Sequence, residues 1–261
     1  MAQGNFLTFL RKLTLFLILV FVALGSYLQK TRSTDWEDPL WVAVYPINAD
    51  GSEKSARYIS ELDHDTFSGI EQFMMSEADR YNLSLERPVS INPGEPVNSL
   101  PPEVPRGSTL QVILWSFKLR YWAWSSTRDQ PGPTPDVKLF LLYHDPETSP
   151  ALNHSYGIKE SLVGVVNVFA DRTQRGSNQF VAIHELLHTL GATDKYDNNN
   201  FPVFPEGFAE PDRKPLYPQR YAEIMGGRIP VSSSTADTPG SLKRARIGFS
   251  TASEINWLNN N

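Results

Sequence analysis

The chain has 261 residues, 40% of them apolar and 11% aromatic, enough for a packed core in one substantial domain or two small ones, which excludes a disordered protein. Its net charge of -5 is modest and its basic residues are scattered, with Lys243-Arg244-Ala245-Arg246 the densest group and read as a solvated face, so nucleic acid is excluded as a partner. Cysteine is absent, which excludes disulfides and thiolate metal ligands and leaves His, Asp and Glu as the candidate donors.

The first element is an address. Arg11-Lys12 precede an apolar stretch over residues 13–24 that continues to 28. It is longer than a signal-peptide core and shorter than the roughly 20 residues that span a bilayer comfortably. Residues 1–30 are therefore expected to be an uncleaved signal anchor, with cleavage near Ala23-Leu24-Gly25 as the alternative. The basic flank belongs on the cytoplasmic side, which puts the remainder outside the cytoplasm, anchored or secreted.

Residues 40–47 read as a strand, and 66–81 as a helix with Phe67, Ile70, Met74, Ala78 and Tyr81 on one face and both Met74 and Met75 in the core. Asp65 is the expected N-cap of that helix, and His64 ahead of it is given no role. The proline-rich stretch 88–105 reads as an extended surface loop. Residues 109–124, 137–143 and 162–170 are rich in β-formers and read as strands, with Trp115, Trp122 and Trp124 as core residues. His144, Asp145 and His154 form a loose group before the last of these, with a spacing that matches no metal-ligand pattern and reads as solvated loop residues.

The most informative segment follows: His184-Glu185-Leu186-Leu187-His188, then Thr189-Leu190-Gly191-Ala192-Thr193-Asp194. Residues four apart stack on one face of an α-helix, so His184 and His188 can offer two imidazole nitrogens to one cation. Glu185 sits one step round the helix, placed to act as a general base. Phe180, Ile183, Leu187 and Leu190 supply a separate buried stripe, and Ser177 or Asn178 can cap the start. Gly191 can take the left-handed conformation that ends the helix and swings Asp194 back towards the histidines.

HELLHTLGATD resembles the extended HExxHxxGxxH/D signature of the metzincin clan of zinc peptidases, with Asp194 in the third ligand position. The resemblance implies an α/β (α+β) zincin fold: a twisted mixed sheet, an active-site helix, a methionine turn and a C-terminal helix, covering residues 38–261 as the catalytic domain behind the N-terminal membrane segment. Ala222-Glu223-Ile224-Met225-Gly226-Gly227 resembles that turn, with Met225 as its structural methionine. The implied site is one catalytic Zn2+ held by His184, His188 and Asp194, with Glu185 as the catalytic base. Asp in place of a third His leaves less positive charge on the metal and a less strongly acidified water. Metzincins often carry a Tyr two residues past the turn methionine; this chain has Gly227 there, and Tyr196, Tyr217 and Tyr221 remain open as substitutes.

Residues 250–258 read as the closing helix, with Thr251 and Glu254 as its capping box. The expected function is that of a zinc-dependent endopeptidase acting on extracytoplasmic proteins or peptides. A substrate would pair as an added strand with 162–170, taken as the edge strand beside the cleft. Two alternatives stand beside it. One is a gluzincin-type peptidase whose third ligand is Glu206, Glu210 or Glu223, against which the prolines between 202 and 218 weigh. The other is a membrane-tethered envelope protein that keeps zinc without turnover.

Overall fold

The structure, a computed structural model, describes residues 11–14, 16, 34–105, 107–159 and 161–258. The proposed anchor, residues 1–30, lies outside the described residues except for 11–14 and 16; among the described residues no helix is long and apolar enough to cross a membrane.

The chain folds as a mixed α/β structure. Strands β1 (Leu40–Asn48), β2 (Val89–Pro93), β3 (Val137–His144), β4 (Tyr156–Ile158) and β5 (Val163–Phe169) form one sheet in the order β2-β1-β3-β5-β4. The first four in that order run parallel, and β4 pairs antiparallel with β5 through Tyr156↔Val165, Gly157↔Gly164 and Ile158↔Val163. Parallel strands covered on both faces read as near-continuous apolar runs. That describes LWVAVYPIN in β1, whose Val42 and Val44 enter one core while Ala43, Tyr45 and Ile47 enter the other.

Helices α1 (Glu53–Ser60), α2 (His64–Arg80), α3 (Thr109–Ser125), α4 (Arg175–Leu190) and α5 (Phe249–Glu254) complete the frame. The larger core joins one sheet face to α2, α4 and the C-terminal segment through Phe67, Ile70, Met74, Ile183, Leu187, Ile255 and Trp257; the smaller core joins the other face to α3.

Several expectations are corrected. Residues 109–125 are a helix: two parallel strands cannot be joined by a hairpin, and the crossover from β2 past β1 to β3 takes helical form. Ser108 N–H bonds Gln111 Oε1 at the start of that helix, and the inward residues Trp115, Leu119, Trp122 and Ala123 have helical spacing that the abundance of β-formers concealed. Trp124 is exposed, not core. The stretch 88–105 contains β2, because Val89 and Ile91 fill the core beside β1. Strand β5 is interior; the edge belongs to β4, too short to signal itself in sequence. Asp63, not Asp65, caps α2 by accepting Thr66 N–H at 2.9 Å, His64 is the first residue within the helix, and Met75 faces outward while Met74 is fully buried.

Candidate metal centre

The histidine helix α4 starts at Arg175, ahead of both expected caps, Ser177 and Asn178. Asn178 is not its cap. Its amide instead accepts Phe169 N–H at 3.1 Å and donates to Phe169 O at 2.8 Å, tying the helix to the end of β5. At the far end Gly191 adopts φ 108, and the N–H groups of Gly191 and Ala192 return to His188 O and Leu187 O. This left-handed stop turns the chain back under the helix.

His184 Nε2 and His188 Nε2 lie 3.1 Å apart, and Asp194 Oδ1 is 3.1 Å from the first and 3.0 Å from the second. The other ring nitrogens are engaged by backbone: His184 Nδ1 donates to Ile224 O at 2.9 Å and His188 Nδ1 to Ala192 O at 2.8 Å. With each Nδ1 carrying the proton, the neutral rings point two Nε2 lone pairs and a carboxylate oxygen at one place. Three acceptors converging without a donor fit a cation, and their spacing is close to the roughly 3.3 Å separating ligand atoms around tetrahedral zinc. Among the described residues this is the one group of His, Asp and Glu that can hold a metal ion.

Charge is organised around the same point. Burial raises the Glu185 carboxyl above its usual range, and the nearby histidines only partly offset this. Glu185 Oε2 is buried and has no hydrogen-bond partner. A buried carboxylate oxygen left free beside a cation site is chemically idle unless a water or substrate reaches it. Burial works against the Asp194 carboxylate, but without an ion His184 and His188 can take up a proton on Nε2 and donate it to that carboxylate, which holds it far below the ordinary range. For His184, burial opposes the charged form, but Asp194 and Glu185 prevail and raise the imidazole.

The loop carrying Asp194 is clamped on both sides by long-range contacts that nothing in the sequence signals. Glu254 of α5 accepts Thr193 N–H at 3.0 Å and the Thr193 hydroxyl at 2.7 Å, and it receives Lys195 Nζ at 2.7 Å. Lys195 N–H donates to Met225 O at 2.9 Å. Thr251 and Glu254 thus form no capping box: Thr251 donates its hydroxyl to Glu223 Oε1 at 2.7 Å.

Residues 222–227 form a tight turn, with Gly226 and Gly227 N–H groups returning to Glu223 O and Met225 fully buried. Glu223 holds it from inside, its Oε2 accepting Met225 N–H at 2.7 Å and Gly226 N–H at 2.8 Å, and its Oε1 accepting Gly248 N–H at 3.0 Å. Ile224 of the same turn supplies the carbonyl that orients His184.

The three downstream glutamates do not join the cluster. Glu223 is committed to the turn, Glu210 pairs with Arg220, and Glu206 lines a separate hollow. Of the three tyrosines, Tyr217 packs on Phe208 and Tyr221 lies under Arg246, whereas Tyr196 stacks on His184 with ring centroids 6.2 Å apart and lies against Gly227. Burial, and then the Asp194 charge, raise the Tyr196 hydroxyl well above its usual range. His144 bonds Asn167 Oδ1, His154 gives its carbonyl to Asn167, and Asp145 pairs with Lys54, so that loose group forms no second centre.

A cleft of about 330 Å³ opens beside the cluster, bordered by Asn167, Phe180, His184, Glu185, Tyr196 and Gly227. Strand β4 runs along α4 so closely that a Cβ on Gly157 would lie 2.3 Å from Glu185 O. No protein-family model and no curated protein matches the chain.

Proposed function

We propose that the protein is a zinc-dependent endopeptidase of metzincin type, held at a membrane by its N-terminal segment and acting on extracytoplasmic proteins or peptides. The observation that carries this reading is the convergence of His184, His188 and Asp194 on one point next to a buried, partnerless Glu185 oxygen. The glycine stop at Gly191 and the Glu223-anchored turn around Met225 support it.

His184, His188 and Asp194 would hold the ion, and zinc, when bound, supplies a Lewis acid that polarises a carbonyl and acidifies water. Glu185 Oε2 takes a proton from the attacking water. As the new C–O bond forms and the peptide C–N bond breaks, Glu185 returns that proton to the leaving amine nitrogen, giving a carboxylate and an amine. Tyr196 keeps its proton and can donate a hydrogen bond to the oxygen that gains negative charge. The edge of β4 offers backbone groups to an extended substrate.

The test is metal analysis of the full chain paired with cleavage of an unstructured protein substrate. Parent protein with one equivalent of zinc and measurable cleavage supports the reading, as does a Glu185→Gln variant that keeps zinc and loses at least about 100-fold in rate. Zinc binding without cleavage in the parent favours the non-catalytic envelope protein. Undiminished cleavage by Glu185→Gln removes the mechanism.

A further inference from the structure

Helix α3 is apolar on two faces. Trp115, Leu119, Trp122 and Ala123 pack inward against Phe140 and its neighbours. Leu110, Ile113, Leu114, Phe117, Tyr121 and Trp124, spaced at helical intervals, form an outward stripe whose members are between 47% and 68% exposed. A helix against water normally turns polar side chains outward, and a contiguous apolar stripe of this kind marks a surface that something covers.

The helix also carries Lys118 and Arg120 and no acidic residue, and Arg128 just beyond it lies over the Trp124 ring at 5.3 Å. Lys118 and Arg120 accompany these aromatic and aliphatic side chains with no carboxylate on the helix itself, Arg128 being paired with Asp129 at 3.2 Å, and such a composition suits a helix lying at the surface of an anionic bilayer. The rest of the sequence points the same way. The apolar run ends at Leu28, six residues before Thr34, where the described fold begins. Six residues reach at most about 20 Å. If residues 13–28 sit in a membrane, the folded part is held next to that membrane's surface.

We propose that the outward stripe of α3 seats on the anionic phospholipid surface of the membrane that carries the N-terminal segment. This rests on the membrane reading of residues 13–28 and not on the peptidase chemistry. Seating fixes the orientation of the metal cleft with respect to the bilayer, since α3 and α4 cover opposite faces of one sheet.

The absence of cysteine makes a single spin label unambiguous. The full chain bearing Phe117→Cys is labelled with a nitroxide and placed in vesicles of phosphatidylcholine and phosphatidylglycerol. A second protein is labelled through Ser233→Cys, an exposed position in a turn. Collision with lipid-soluble oxygen and with a water-soluble nickel chelate is measured for each. The expected result is several-fold higher oxygen and lower nickel accessibility at 117 than at 233, reverting towards water when Leu114→Glu is added. Equal water exposure at the two positions overturns the proposal. So does shielding from both reagents, which would mean that the N-terminal segment or another protein covers the stripe. Spin–spin coupling between copies also overturns it, in favour of a dimer.

Discussion

Glu254 and Thr193, 61 residues apart, are joined by two hydrogen bonds to one carboxylate, one from the Thr193 backbone N–H and one from its hydroxyl. The residue between Thr193 and Lys195 is Asp194, so the C-terminal helix fixes the position of the candidate third ligand. Partners of this kind typically contribute 10–100-fold to metal affinity. Glu254→Ala is expected to weaken zinc binding by about that factor in a chelator competition. An affinity equal to the parent's would show that the loop holds its shape unaided.

Glu223 is a fully buried carboxylate accepting three backbone N–H groups and the Thr251 hydroxyl. Replacing it with alanine strands the Met225 and Gly248 N–H groups and the Thr251 hydroxyl, each costing about 1–3 kcal/mol, whereas Gly226 N–H keeps the backbone carbonyl of residue 223. Urea denaturation of Glu223→Ala is expected to show a loss of roughly 3 kcal/mol or more. A loss below 1 kcal/mol would mean that water enters the turn and replaces the carboxylate.

Gly157 has no room for a side chain, since an added Cβ would meet Glu185 O at 2.3 Å and His188 Cβ at 2.8 Å. Gly157→Ala therefore pushes β4 away from α4 and should destabilise the protein by about 1–3 kcal/mol, with a parallel loss of zinc affinity. Gly240→Ala is the control, because nothing lies within 4 Å of its added carbon. Equal melting temperatures for the two variants would disprove the close packing of strand on helix.

Asp50 gives a pH dependence unconnected with the metal. Slight burial pushes its carboxyl up, but hydrogen bonds from Asp145 N–H at 2.6 Å and Ser52 N–H at 3.0 Å prevail and hold it at about 2, from an ordinary 3.8. A depressed carboxylate stabilises the fold above its unfolded value, and that contribution disappears as pH falls through the folded one. Thermal melts of parent and Asp50→Asn should therefore differ most above about pH 4 and converge towards pH 2. A constant gap over that range would contradict the assignment.

How much of this was legible in the sequence depends on distance along the chain. His184, His188 and Asp194 span eleven residues, and one helical turn plus a glycine stop is enough to bring their donor atoms together. The apolar runs at 40–47 and 137–143 were equally plain because a strand buried on both sides needs no alternation. Residues 109–125 resemble a strand because β-formers dominate their composition, and the need for a helical crossover there follows only from the parallel order of β2, β1 and β3. Strand β4 has three residues, too few for a period, and its edge position follows only from pairing with β5. The work of Glu254 and Glu223 rests on contacts across 25 to 61 residues, and nothing around either residue announces it. Tyr196 could be singled out from Tyr217 and Tyr221 only once its ring was seen against His184.

The two carbonyls that hold the Nδ1 atoms of His184 and His188 belong to the chain's own turns, not to any bound species. The imidazoles are therefore aimed by folding itself, and little freedom remains to be lost when an ion arrives. If the pocket holds a divalent ion, exchanging it for another would not require unwinding, and the choice of metal would fall to supply and coordination chemistry and not to the cost of rebuilding the loops.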